Sequence, residues 1–250
     1  MVQLERNRPL QQIERSDLKG RVVENSILLS IPEEEFALLR PHLEFIPLTT
    51  YEVLQEPGQP VEFAVFLNSG LVSLLVVTSD AKSVEVGMVG KDGFTGAYLG
   101  AGVRDSSQRA IIQIPAEAFR VKSKSLETVL PHTPKLQQEL NRYLLLQGMQ
   151  VAQLAACNRL HEIDQRLARW LLMSHDRVGG DSLPVTHDVL AQMLGSGRPT
   201  VTIAAGGLQR AGIIEYTRGM IRILSRKALE TAACECYQVI RRITQNNGTK

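Results

Sequence analysis

The stretch THDVLAQMLGSGRPTVTIAAGGL, residues 186–208, decides how this chain is read. Apolar residues at helical spacing, Val189, Leu190 and Leu194, stop at Gly195. A second apolar series resumes at Val201 and continues through Ala204, Ala205 and Leu208. Gly195 supplies the positive φ that a three- or four-residue turn demands. Ala191 is small where two crossing helices touch, and Val201 plugs the second helix into the first. These spacings together predict a helix-turn-helix; an ordinary αα-hairpin is the competing reading.

The second helix opens with Arg198, Pro199, Thr200 and Thr202, which sets donors at its N-terminal end, where a recognition helix meets bases and phosphates. Downstream, GIIEYTRGMIRIL (212–224) alternates apolar and polar residues about a tip at Arg218-Gly219 and reads as a β-hairpin wing. Ser225 then caps a last helix carrying Leu229 and Ile240. Upstream, a helix over His161–Ser174 turns Ile163, Leu167, Trp170 and Leu171 toward a core, and Asp176–Leu183 is a turn segment.

Further back, Thr133-Pro134 reads as an N-cap followed by proline in the first helical position. That helix runs to about Arg159, with Leu136, Leu140, Leu144, Gly148, Val151 and Ala155 at steps of three or four. A second copy of the chain is the economical cover for such a stripe, which makes it a dimer helix. Packing along its own β domain is the alternative. From about Glu44 to Val121, short β-rich runs alternate with Gly, Pro, Asn and Asp turns: residues 63–67, 71–77, 84–89 and 110–114. They predict an antiparallel sandwich or barrel whose interior can hold a small ligand. A short helix at Pro32–Leu39 precedes it, with acidic residues in its first turn. Residues 1–25 read as a polar, frayed tail.

The composition, 44% hydrophobic and 22% charged with a formal net charge of +2, is that of a globular chain. Lys and Arg outnumber Asp and Glu from Arg159 onward, so the positive excess sits with the helix-turn-helix, as phosphate binding requires. No apolar run approaches the roughly 20 residues of a membrane span. The N-terminus lacks a signal-peptide core, and the expected location is the cytoplasm. Cys157, Cys234 and Cys236 fit a reducing compartment; Cys-x-Cys is poor spacing for a zinc ribbon, so all three are read as ordinary small helix residues and no metal is expected. Catalysis is not expected either. Residues 43–131 contain no histidine for a metal-binding cupin, Gln165 breaks the zinc-protease pattern begun at His161-Glu162, and no GxSxG elbow exists.

A β-roll, a long helix and a winged helix-turn-helix in that order resemble the Crp/Fnr family of bacterial transcription regulators. The resemblance covers about residues 26–230 and is carried by CNRLHEIDQRLARWLL (157–172), LPVTHDVLAQMLGSGRPTVTIAAGGLQRAGIIEYTRGMIRIL (183–224) and the turn glycines Gly58 and Gly70. It implies an α+β chain with a jelly-roll, cyclic-nucleotide-binding-like sensor (26–132), a dimerisation helix (133–160) and a DNA-binding domain (161–250). It also implies a homodimer on a palindromic operator, with RNA polymerase as a candidate further partner. By resemblance Arg198 reads guanine, Thr200 contacts phosphate, Gly197 offers a backbone N–H, and Arg218 on the wing reaches the adjacent backbone; Thr186 and Thr202 complete the expected surface. Pro199 replaces a glutamate and Ile203 an arginine of well-known members, which implies a different operator and an apolar contact from Ile203.

The sensor half departs further from the family pattern. Nucleotide-binding members carry a Gly-Glu pair and then an Arg-Ser or Arg-Thr pair; here Gly96 is followed by Ala97, and Ser106-Ser107 stands in place of the arginine pair. Gly96, Ala97, Tyr98, Ser106, Ser107 and Arg109 are the effector-pocket candidates, with Arg104 or Arg109 as candidate substitute cations. Tight cyclic AMP binding is therefore not expected. The glycines at 87, 90, 93 and 96 are read as turn glycines rather than a phosphate loop. An N-terminal iron–sulfur cluster is closed off by the absence of cysteine there, and haem is not expected, since only His42 and His132 flank the β domain. The competing class is a ligand-binding or scaffold protein whose helix-turn-helix no longer binds DNA, kept open by Pro199 and the acidic Glu215 on the wing.

Overall fold

A computed structural model describes residues 15–245. Residues 1–14, the greater part of the expected tail, lie outside the described residues. Residues 15–25 are not a frayed end. Arg15 and Asp17 are buried; the Arg15 guanidinium donates to the Leu28 and Ile31 carbonyls, and Asp17 accepts from the Lys19 and Arg21 amides. The Arg15 bonds satisfy open carbonyls at the end of α1 (Ser26–Ser30), while Asp17 closes a local turn; sequence reading overlooked both because one arginine in a polar run carries no periodicity.

α2 (Glu33–Leu39) leads into a roll of eight strands: β1 (Glu44–Leu48), β2 (Val53–Gln55), β3 (Phe63–Leu67), β4 (Leu71–Val77), β5 (Ser83–Val89), β6 (Phe94–Thr95), β7 (Arg109–Ile114) and β8 (Ala116–Lys122). They form two antiparallel sheets, in the orders β1-β8-β3-β6 and β2-β7-β4-β5. Between them Leu48, Val65, Leu67, Val72, Leu74, Val89, Ala110 and Ile112 close a dry core, as the alternation of β-branched and leucine residues requires. Gly58 and Gly70 adopt positive φ in the turns, as expected.

α3 (Ser123–Val129) and a short 3-10 turn lead into α4 (Pro134–Leu160), 27 residues long. Thr133 sits at its N-cap position, but its hydroxyl turns back to the Val129 carbonyl. The cap comes from α2: the Glu35 carboxylate accepts from the Lys135 and Leu136 amides at 3.0 and 2.8 Å. The expected dimer stripe divides in two. Leu136 and Leu140 are fully buried on the molecule's own roll, so for them the alternative reading holds. Farther along, Gly148 and Ala155 are exposed, Leu144 and Val151 are half-buried, and Leu145 and Met149 stand 70% and 52% exposed.

α5 (Ile163–Val178) opens with a reciprocal capping box between Glu162 and Gln165 and runs past the expected end at Ser174. β9 (Ser182–Pro184), α6 (His187–Met193), α7 (Arg198–Arg210) and the hairpin β10 (Ile214–Thr217) and β11 (Met220–Ile223) follow, with sheet order β10-β11-β9. The last helix is two helices, α8 (Arg226–Ala232) and α9 (Cys236–Gln245), broken at Ala233–Glu235. One apolar cluster joins Trp170 and Leu171 of α5 to Leu75 and Met88 on the outer face of the β4–β5 sheet, so the two domains share a core.

Candidate nucleic-acid interface

Thr186 caps α6, its hydroxyl accepting from the Val189 amide. Gly195 takes φ +56 and the Ser196 amide closes on the Ala191 carbonyl at 2.9 Å, which turns the chain within four residues. Val201 is then fully buried against α6, with Ala204, Ala205 and Leu208 sealing the same face. The opposite face carries Arg198, Pro199, Thr200, Thr202 and Ile203, all exposed. Gly197 is the N-cap of α7 and has no side chain, so the amides of the first turn open toward whatever meets that end. Ile203 is 72% exposed, an isoleucine held in water on the surface that would enter a groove.

Arg198 is braced by Asp188 of α6 at 3.3 Å; both groups are solvent-exposed, so the pair is weak and exchangeable. His187 was missed in the sequence. Its ring stacks on Tyr216 of the wing with centroids 4.0 Å apart, and Nδ1 lies 3.0 Å from the Thr202 hydroxyl. It therefore ties α6, α7 and the wing together, and burial with the nearby Arg198 charge keeps its pKa below the usual imidazole value. At the wing tip, Arg218 (φ +49) and Gly219 (φ +82) form the two-residue turn that matches strand twist. Glu215, the acid that spoke against DNA, is paired across the wing with Arg222 at 3.0 Å.

Residues 165–232 match the model of the Crp-like helix-turn-helix domain. The chain is 28% identical over 204 residues to the transcriptional regulator SdrP of Thermus thermophilus, covering 76% of this chain and 94% of that protein. It is 27% identical over 187 residues to the global nitrogen regulator of Synechocystis sp., covering 69% and 81%. Among solved structures, a Crp/Fnr-family regulator from Thermus thermophilus superposes with a TM-score of 0.58 at 26% identity, covering 76% of this chain and 98% of that one. FixK2 from Bradyrhizobium japonicum shares the fold with a TM-score of 0.66 at 17% identity, covering 77% and 98%. The chain thus carries a Crp-like helix-turn-helix domain and is similar over most of its length to regulators of the Crp/Fnr type. It is a DNA-binding transcriptional regulator of that type, and the roll and winged helix-turn-helix expected from the sequence are those of the family.

The six effector candidates lie apart from the two clefts described below. Ala97 is 3% exposed, and a Cβ on Gly96 (φ +76) would lie 2.7 Å from the Phe63 carbonyl oxygen. Tyr98 is half-buried, with its pKa raised by burial and partly offset by a hydrogen bond with Ser106. The Ser106 hydroxyl is buried in a local turn with Gln108, Ser107 is exposed, and Arg109 is paired with Glu56 at 2.9 Å. The other cation, Arg104, is paired with Glu127 at 2.9 Å. A cleft of about 560 Å³ opens instead at the domain seam, lined by Tyr143, Gln147, Arg177, Tyr237 and Ile240 among others. A second, of about 710 Å³, lies between the β4–β5 hairpin and the turn at Gly195–Gly197. None of the six candidates lines either. Of the glycines at 87, 90, 93 and 96, only Gly96 has positive φ. Gly93 is required by close approach, because a Cβ there would lie 2.1 Å from the Tyr143 hydroxyl.

The cysteines were also read too plainly. Cys157 at the end of α4 and Cys234 and Cys236 at the α8–α9 break are all buried together. The Cys234 thiol faces the Cys157 sulfur at 3.5 Å; that hydrogen bond, with the Arg169 charge nearby, holds Cys157 far below the usual thiol range.

Proposed function

We propose that this regulator acts as a homodimer that lays two α7 helices into the major groove of an inverted repeat, with half-sites about one helical turn, roughly 34 Å, apart. The observation that carries the reading is the two-faced α7. Its buried face locks onto α6, while Arg198, Thr200, Thr202 and Ile203 stay exposed with an apolar side chain among them. Arg198 reads a guanine edge once Asp188 lets go, Thr200 and the first-turn amides take phosphate, Ile203 meets a thymine methyl, and Arg218 reaches the flanking backbone. The exposed face of α4 around Leu145, Gly148 and Met149 is the partner surface; a Cβ at Gly148 meets nothing within 4 Å, leaving room for close approach.

The roll's response is to an effector other than cyclic AMP. Ala97 offers no acceptor for a ribose hydroxyl, and Arg104 and Arg109 are both engaged by acids. The test is selection of random duplex DNA by the purified protein, read by sequencing, with no added ligand and again with cell extract. An enriched inverted repeat with one-turn spacing in either arm is the expected result. No enrichment in either arm refutes the reading.

A further inference from the structure

Four chemistry-bearing side chains from two segments far apart in sequence converge at one end of α4. Cys157 lies in its last turn and His161 is its C-cap, four residues on, so both side chains leave the same face. Cys234 and Cys236 come from the break that splits the last helix into α8 and α9. The three Sγ atoms and one imidazole nitrogen lie within 4.8 Å of one another. Cys157 and Cys234 are 3.5 Å apart, and Cys236 Sγ is 3.6 Å from His161 Nδ1. Around a tetrahedral zinc ion with bonds of about 2.3 Å to sulfur and about 2.0 Å to nitrogen, neighbouring sulfurs stand about 3.8 Å apart and sulfur and nitrogen about 3.5 Å. These two separations are those of ligands on a single centre, and the other ligand atoms lie within 4.8 Å. A polynuclear iron–sulfur cluster distributes its thiolates over several irons and needs them farther apart.

We propose that Cys157, His161, Cys234 and Cys236 form a tetrahedral site for one thiophilic divalent ion of the zinc class. The surroundings are those a metal site needs. His161 turns Nδ1 inward while Nε2 sits 3.1 Å from the Glu235 carboxylate, the outer-shell bond that fixes a ligating tautomer. Gln153 donates its amide to Cys236 Sγ at 3.0 Å. Three thiolates and a divalent ion leave one negative charge, and Arg169, 3% exposed with an unpaired Nε, is the buried cation beside Cys157. Three sulfurs and an imidazole select zinc-like ions over magnesium or calcium, which take oxygen. A disulfide between Cys157 and Cys234 would leave unexplained why His161 is tied back by Glu235 and aimed at Cys236. The site fastens the start of α9 to the end of α4, at the point where the chain passes into α5 and the DNA-binding half.

The experiment uses the full-length protein, purified under reducing, air-free conditions, stripped with a chelator and titrated with Co²⁺ and then Zn²⁺. Expected are one equivalent per chain, the intense visible bands of tetrahedral cobalt with thiolate-to-cobalt charge transfer, and displacement of cobalt by zinc. Cys236→Ser abolishes the tetrahedral spectrum. Glu235→Gln, which leaves every ligand in place and the chain folded, weakens zinc binding by about 10–100-fold. An octahedral cobalt spectrum, substoichiometric uptake by the reduced wild-type chain, iron with acid-labile sulfide in its place, or unchanged affinity in Glu235→Gln overturns the proposal.

Discussion

Glu85 on β5 is a carboxylate sealed into the seam between the roll and α5, and it makes the stability of the protein pH-dependent in a calculable way. It is 5% exposed, its Oε2 accepts from the Ser73 hydroxyl at 2.6 Å, and Arg169, Arg177 and Trp170 of α5 surround it without forming a close ion pair. Burial outweighs the hydrogen bond and the two arginines and raises its pKa to about 7 from 4.5. A carboxylate whose folded pKa is raised holds a proton in the folded chain that the unfolded chain has released. Stability is therefore highest below the unfolded value and falls as pH rises through the interval up to about 7, where it levels off. A rise of two to three pKa units at about 1.4 kcal/mol each corresponds to a loss of about 3 kcal/mol. Glu85→Gln keeps an acceptor for Ser73 and removes the charge. Urea unfolding of both proteins between pH 5 and 8 should show a wild-type midpoint that declines across the interval, a flatter profile for Glu85→Gln, and a more stable variant at pH 8. Parallel pH profiles for the two proteins would refute the assignment of the buried charge to Glu85.

Four other outcomes are expected. Arg198→Ala should cost about 1–3 kcal/mol of operator binding and relax one base position; an equal loss on all sequences would make Arg198 a phosphate contact instead. Leu145→Glu should shift the protein toward monomer in sedimentation and weaken DNA binding with it, whereas Leu140→Ala, removing a side chain buried on the molecule's own roll, should lower the melting temperature without dissociating a dimer. Calorimetry with cyclic AMP should give no binding in the micromolar range, and tight binding would mean that Arg104 or Arg109 leaves its acid. Glu35→Ala removes both acceptors at the start of α4 and should destabilise the protein by about 1 kcal/mol, seen as a lower urea midpoint.

Elements that obey a period were legible in the chain. The β3 and β4 runs fall at residues 63–67 and 71–77 as read, and the α6–turn–α7 unit follows its glycine and apolar spacing, because each encodes its burial locally. What failed to show is what depends on partners distant in sequence. Leu136, Leu140, Leu144 and Gly148 form one helical row, yet the roll covers only its first part, and no local pattern marks where the cover ends. Glu35 displaced Thr133 as the cap of α4 from about one hundred residues away. The cysteines escaped for the same reason. Neither C-x₃-H at a helix end nor C-x-C at a helix break is a zinc template alone, and only tertiary closure between Cys157 and Cys234 makes them one cluster. The break before Cys236 was the one available signal: Cys234-Glu235-Cys236 interrupts what otherwise reads as a single helix from Ser225 to Ile240.

The roll and the DNA-binding half are in direct contact through β5. β5 and the turn after it touch α4, α5 and α6. Ser83 accepts a hydrogen bond from Gln192 at 2.7 Å, and Val84 packs beside Gly195 in the helix-turn-helix. Glu85 and Met88 face α5, and Asp92 pairs with Arg177 of α5 at 3.6 Å. Gly93 lies directly under Tyr143 of α4. Where the seam is packed, as around Met88 and Trp170, interdigitated side chains move between discrete packings rather than deforming smoothly. A ligand entering either cleft would therefore act by favouring one packing of β5 over another, and it can move the α7 helices only as far as its affinity differs between the two. The Cys157–Cys236 cluster lies at the far end of α4 from the roll and joins the start of α9 to α4, so a metal bound there would tie these two helices together beside α5.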